Sequence, residues 1–165
     1  AFLSLLFGYF FYWTLHEHFP AQSLLDKAMF PWALAASSLV LAWLAVIWSV
    51  RCNAHSQSWG VILSLITALL LGLIGAAMLL LGPWTAGVGP VQHVYPAMVW
   101  VLCGWCALHA ALGALMLAYC LTRVCAKRIN AIHDAELLNV RLYWHFTTVS
   151  ALLMLSVLCL FADGP

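Results

Sequence analysis

The sequence predicts an all-α integral membrane protein, a single bundle of five transmembrane helices within residues 1–165. Hydrophobic residues make up 66% of the chain and charged residues 7%, whereas an ordinary soluble domain carries about 25% charged residues. Long apolar runs recur along the chain, and a helix of about 20 apolar residues crosses a bilayer. These runs are continuous and do not alternate with polar residues, which excludes the strands of a membrane β-barrel.

The predicted helices follow one another with short polar connections. The first covers residues 2–16; it is short for a crossing, and we expect its natural start to lie before Ala1 in a longer polypeptide. The other four are predicted over residues 31–50, 59–82, 94–121 and 142–161. The connections, at 17–30, 51–58, 83–93 and 122–141, are too short to contain a second domain.

The distribution of basic residues predicts the orientation of the chain. Five crossings place the second and fourth connections on the same side of the membrane. The basic residues of those two connections are Arg51, Arg123, Lys127, Arg128 and Arg141, against Lys27 alone on the other side. By the positive-inside rule, the N-terminus is predicted to face the cytoplasm or the mitochondrial matrix, and the C-terminus to face outside.

Tryptophans and small residues mark the ends and the faces of the predicted helices. An interfacial aromatic belt is predicted at Trp13, Trp32, Trp59, Trp84 and Trp144. Small residues let membrane helices approach closely, which favours a compact bundle. They occur at Ala35, Ala36, Ser37, Ser38, Gly72, Gly75, Gly104, Ala107, Ala111 and Gly113.

Charge and cysteine content narrow the function classes. The formal net charge is +1, so the basic surface required for nucleic-acid binding is absent. The six cysteines lie in or beside apolar runs, where a reduced cysteine packs as a small hydrophobic residue. Cys103 and Cys106 form a single CxxC with no second ligand pair to complete a zinc or iron-sulfur site.

Two histidines are the main candidates for chemistry within the membrane. His109 is predicted near the middle of the fourth helix and His145 about one turn into the fifth. Either could form a hydrogen bond between helices or, alternatively, act as a ligand or in proton transfer. A haem with two histidine ligands requires matched depths on facing helices, and the predicted depths do not match.

Charged clusters at the two membrane surfaces leave further alternatives open. His133, Asp134 and Glu136 form a mixed-charge inner segment, readable as a solvated turn, a docking surface or a rim that collects protons. His16, Glu17 and His18 form an outer cluster, but neighbouring helix positions point apart, which disfavours a shared metal. No catalytic residues, cofactor site or metal site are predicted in this chain.

Several motifs resemble those of cytochrome c oxidase subunit III. The strongest is Tyr-Trp-His-Phe at residues 143–146, which opens the last helix. The run 104–109, Gly-Trp-Cys-Ala-Leu-His, followed by Gly113, is similar to the family's Gly-Phe-His-Gly-Leu-His run with a later glycine. Weaker similarities are Ser37-Ser38 with Trp43, Thr67 with Gly72, and the aromatic run 10–13 with His16 and Pro20. The family's acidic residues are replaced, at Leu5, Leu138 and Thr148 among others.

The resemblance implies a non-catalytic subunit of a haem-copper oxidase. Its partners would be subunit I, which would hold the haems and copper, and subunit II, with phospholipids bound among the helices. It would stabilise the catalytic subunit and support proton uptake. Residues expected to make structural, lipid or partner contacts are His109, His145, Trp144, Tyr143, Ser37 and Ser38.

The five-helix form favours a bacterial inner membrane over a mitochondrial one, and it suits a separate subunit or the subunit III part of a fused chain. An accessory subunit of a quinol oxidase or nitric oxide reductase is an alternative. Outside this class, a small membrane cytochrome using His109 and His145, or a transporter fragment, remain rival hypotheses.

Overall fold

The chain forms five α-helices in a computed structural model that describes residues 2–15, 22–87, 89–91 and 93–160, with the backbone alone for 22–26. The all-α prediction is confirmed for these residues. The helices are α1 (Phe2–Leu15), α2 (Gln22–Ala54), α3 (Ser58–Thr85), α4 (Val94–Cys125) and α5 (Ala135–Leu160). Helices α2 to α5 are long and apolar enough to cross a membrane, while the 14 residues of α1 form a shorter apolar helix.

Helices α2 to α5 form a four-helix bundle, and α1 lies outside it. Each bundle helix packs beside two others, in the order α2, α3, α4, α5 and back to α2, and α1 contacts α4. The contact between α1 and α4 is aromatic: the Tyr9 and Tyr95 rings lie 6.3 Å apart. Tyr12 Oη also lies 3.3 Å from His93 Nδ1. Large apolar side chains cover the outer surface of the bundle, as lipid-facing helices require.

Two helices start well before the predicted residue because helix continues into the polar flanks. Helix α2 begins at Gln22, nine residues before Pro31. Pro31 has no N–H to donate to the carbonyl of Lys27, and Thr85 Oγ1 of α3 lies 3.5 Å from that carbonyl oxygen. Helix α5 begins at Ala135, because the polar residues before the apolar run are also helical. The predicted starts at 31 and 142 were therefore too late.

One end of the bundle, which we call the inner end after the predicted orientation, holds the C-terminal ends of α2 and α4, and both are closed by the same backbone motif. Ser56 and Lys127 adopt positive φ angles of 56° and 55°. The next residue in each case donates its N–H to a carbonyl five residues back: Gln57 to Cys52, and Arg128 to Arg123. This is the Schellman arrangement, which satisfies the last carbonyls of a helix. Both helices therefore stop at the end of the bundle that carries most of the basic residues.

The segment between α4 and α5 folds back over the inner end of the bundle. Asn53 Nδ2 of α2 donates to the carbonyl of Asn130 at 3.1 Å. The side-chain oxygen of Asn130 accepts from the backbone N–H groups of Ile132 and His133, and Ile129 is buried. These contacts fix where α5 begins relative to the end of α2.

Candidate functional site

Trp144 occupies the centre of the four-helix bundle. Its side chain is fully buried, and its ring lies against Gly72 of α3 and Gly113 of α4. A β-carbon added at Gly72 would overlap the ring, and one added at Gly113 would lie 3.1 Å from Cε2. The predicted interfacial position of Trp144 is therefore wrong, because α5 starts earlier and places Trp144 nine residues beyond Ala135. The small residues at 72 and 113 make room for this one large ring.

Trp32 is also misplaced by the belt prediction, whereas two other tryptophans fit it. Trp32 is 2% exposed, and its indole packs against Gly82 of α3 so closely that no β-carbon would fit there. Trp59 and Trp84 lie at the two ends of α3 and are 78% and 73% exposed. Of the five tryptophans predicted to form the belt, these two are exposed and Trp13 is half-buried.

His145 joins α5 to α2. Trp43 Nε1 donates to His145 Nδ1 at 2.5 Å, and the two rings meet edge to face with centroids 5.2 Å apart. An indole nitrogen can only donate, so Nδ1 of His145 must be the acceptor and the neutral ring carries its proton on Nε2. His145 lies ten residues beyond Ala135, about 15 Å along the helix, deeper than the single turn predicted from the sequence.

His109 lies in the opposite crevice, between α4 and α5. Its Nδ1 is 2.9 Å from the carbonyl oxygen of Trp105; a carbonyl can only accept, so this nitrogen carries the proton. Tyr143 donates its hydroxyl to the carbonyl of His109 at 3.2 Å, with the two rings stacked at 6.4 Å. Phe146 completes the cluster at 5.7 Å from the imidazole. Tyr143 and His109 together join α4 to α5.

The two imidazoles therefore hold opposite tautomers in different crevices. His145 could bind a metal through Nε2 only by giving up the hydrogen bond from Trp43, because Nδ1 would then need the proton. His109 keeps an Nε2 lone pair, but His145 does not share its crevice. Among the described residues, no group of three or more His, Cys, Asp or Glu side chains is placed to hold a metal ion. The arrangement suits helix pairing better than ligation.

The paired serines divide between the core and the surface. Ser38 is buried, and its Oγ donates to the carbonyl of Ala35 at 3.0 Å. A β-carbon at Gly75 of α3 would meet this oxygen at 3.0 Å. Ser37 points outward and donates to the carbonyl of Leu34 at 3.1 Å. Both hydroxyls are satisfied within α2, so Ser38 serves close packing and Ser37 is available on the surface.

Charged side chains meet at the inner end of the bundle. Arg123 of α4 and Glu136 of α5 form an ion pair at 2.8 Å, with both side chains 29% exposed. They line a cavity of about 440 Å³ together with Arg128, His133 and Asp134. This is the mixed-charge segment identified in the sequence. The outer cluster His16, Glu17 and His18 lies outside the described residues.

Apolar grooves run along the outside of the bundle. One of about 380 Å³ lies between α2 and α5 toward their outer ends, bordered by Trp32, Leu155 and Cys159. Another of about 370 Å³ lies between α3 and α4, where Gly104 and Ala107 leave open space. Such grooves have the shape and chemistry of acyl-chain or helix contacts.

The six cysteines are all unbridged, with Cys125 and Cys159 exposed.

Arg141 is the site residue that sequence reasoning missed. Its position was assigned to a connection, but the early start of α5 places it six residues inside the helix. Its side chain is half-buried, and its Nε is buried without a hydrogen-bond partner in the described part of the chain. The spacing of Arg141 could have revealed its position, because it comes three residues before Trp144 and four before His145. Residues at this spacing lie on the same side of a helix.

The family comparison agrees with this architecture. The sequence matches the profile of the family "Cytochrome c oxidase subunit III" over residues 24–162. The chain belongs to the cytochrome c oxidase subunit III family. No curated protein is similar enough to the chain to count as a match. The matched range covers α2 to α5, the four helices of the bundle.

Family membership explains why the bundle is poor in chemistry. Subunit III of a haem-copper oxidase does not itself bind haem or copper, as was predicted for this chain. It also places the chain in a membrane, associated with other oxidase subunits. The Tyr-Trp-His-Phe motif of this subunit III supplies three interhelix contacts, through Tyr143, Trp144 and His145.

Proposed function

We propose that this subunit III is a non-catalytic partner of the haem-copper subunit I, beside subunit II, in the inner membrane of a bacterium. The observation that carries the proposal is the family match across the whole bundle, joined to a core filled by packing residues around Trp144. A bundle of this kind presents rigid apolar faces, and these suit lateral contact with another membrane subunit.

The proposed role has a structural and a proton-related part. The apolar grooves between helices would hold phospholipid chains against the complex, which supports stabilisation of subunit I. Titratable groups line the inner cavity, at Arg123, Glu136, His133 and Asp134, and in the proposed orientation this cavity would face the side from which protons enter. Support of proton uptake is assigned to this inner surface. Electron transfer and oxygen reduction are activities of the complex.

Purification of the native complex tests this proposal. The chain would be tagged at its C-terminus, extracted in a mild detergent, and examined by a reduced-minus-oxidised spectrum and by mass spectrometry of the polypeptides present. We expect haem and a large catalytic subunit, either as a separate polypeptide or fused to this chain. A colourless preparation without a haem-copper subunit contradicts the proposal. A Soret band lost on substitution of His109 and His145 would instead support a small cytochrome.

A further inference from the structure

We draw no further inference here: the strongest candidate, the inner cavity at Arg123 and Glu136 together with the apolar groove that Glu136 also lines between α4 and α5, has the charges and the apolar wall of a phospholipid site and so restates the lipid contacts already included in the proposed function.

Discussion

The contact between Gly72 and Trp144 controls how closely α3 approaches α5, and Gly72→Ala tests it directly. The added methyl group would overlap the Trp144 ring. The ring cannot retreat without cost, because Gly113 of α4 borders it on another side, with only 3.1 Å to a β-carbon placed there. Substitution at Gly72 therefore forces either an unfavourable rotamer of Trp144 or a shift of α3.

Gly104→Ala is the matched control for this substitution. Gly104 also lies in the middle of a bundle helix, but a β-carbon there would meet nothing within 4 Å. Both substitutions gain up to about 1 kcal/mol of helix propensity, so the difference between them isolates the packing cost. Overpacking of this kind costs about 1–3 kcal/mol. For a chain of this size, we expect Gly72→Ala to unfold about 2–12 °C below Gly104→Ala.

Thermal unfolding in detergent, followed by tryptophan fluorescence, measures the difference. A Trp144→Phe background completes the design, because the smaller ring leaves room for the methyl group of Gly72→Ala. The two substitutions together should then cost less than the sum of their separate effects, with a coupling of about 0.5–3 kcal/mol. Equal unfolding temperatures for Gly72→Ala and Gly104→Ala, or strict additivity with Trp144→Phe, would refute the assigned packing.

Three further results are expected. Trp43→Phe removes the hydrogen bond to His145 and should lower the free energy of unfolding by about 0.6–1.7 kcal/mol. The ¹⁵N spectra should show a changed tautomer of His145, and an unchanged Nδ1 resonance would argue against the bond. In a single-cysteine variant, exposed Cys125 should react with an impermeant maleimide in inside-out vesicles, and labelling in intact cells instead would reverse the proposed orientation. Glu136→Gln should cause a small loss of thermal stability that disappears at high salt; a loss independent of salt would contradict a screened pair with Arg123.

The sequence was sufficient for the fold class because the bilayer restricts the choices. Continuous apolar runs of this length can satisfy their backbone in lipid only as helices, and the ends of α3 were placed to within three residues. The starts of α2 and α5 were missed because hydropathy locates the lipid-embedded part and not the helix. In α5 the polar turn before residue 142 is helical, held in place by the inner segment around Asn130.

The positions of tryptophans show where sequence reasoning is weakest in a membrane bundle. A tryptophan near the end of an apolar run is typical of an interface, and Trp59 and Trp84 obey this rule. Trp144 and Trp32 do not, because each fills a gap opposite a glycine on another helix, at Gly72 and Gly82. Those pairings depend on which helices are neighbours, and a single sequence does not specify helix adjacency.

Which helices are neighbours also decides how much of the site could be predicted from the sequence. His109 and His145 were identified because ionisable residues are rare in apolar runs, and either was expected to form a hydrogen bond between helices. His145 does so with Trp43 of α2, whereas the His109 imidazole bonds within α4 and its backbone carbonyl accepts from Tyr143 of α5. Arg141 was not recognised because it was counted as a loop residue. Its significance comes from burial of a guanidinium nitrogen, which composition does not reveal.

The pairing of polar groups also bears on where protons could be handled. A relay through the bundle would need donors and acceptors that follow one another across the membrane. In the described helices, the hydroxyls of Ser38, Ser49 and Ser64 instead donate to carbonyls three or four residues earlier. The Nδ1 atoms of the two imidazoles are engaged, by Trp43 for His145 and by the carbonyl of Trp105 for His109. We therefore expect any contribution to proton uptake to come from the inner cavity around Glu136, at the surface of the membrane.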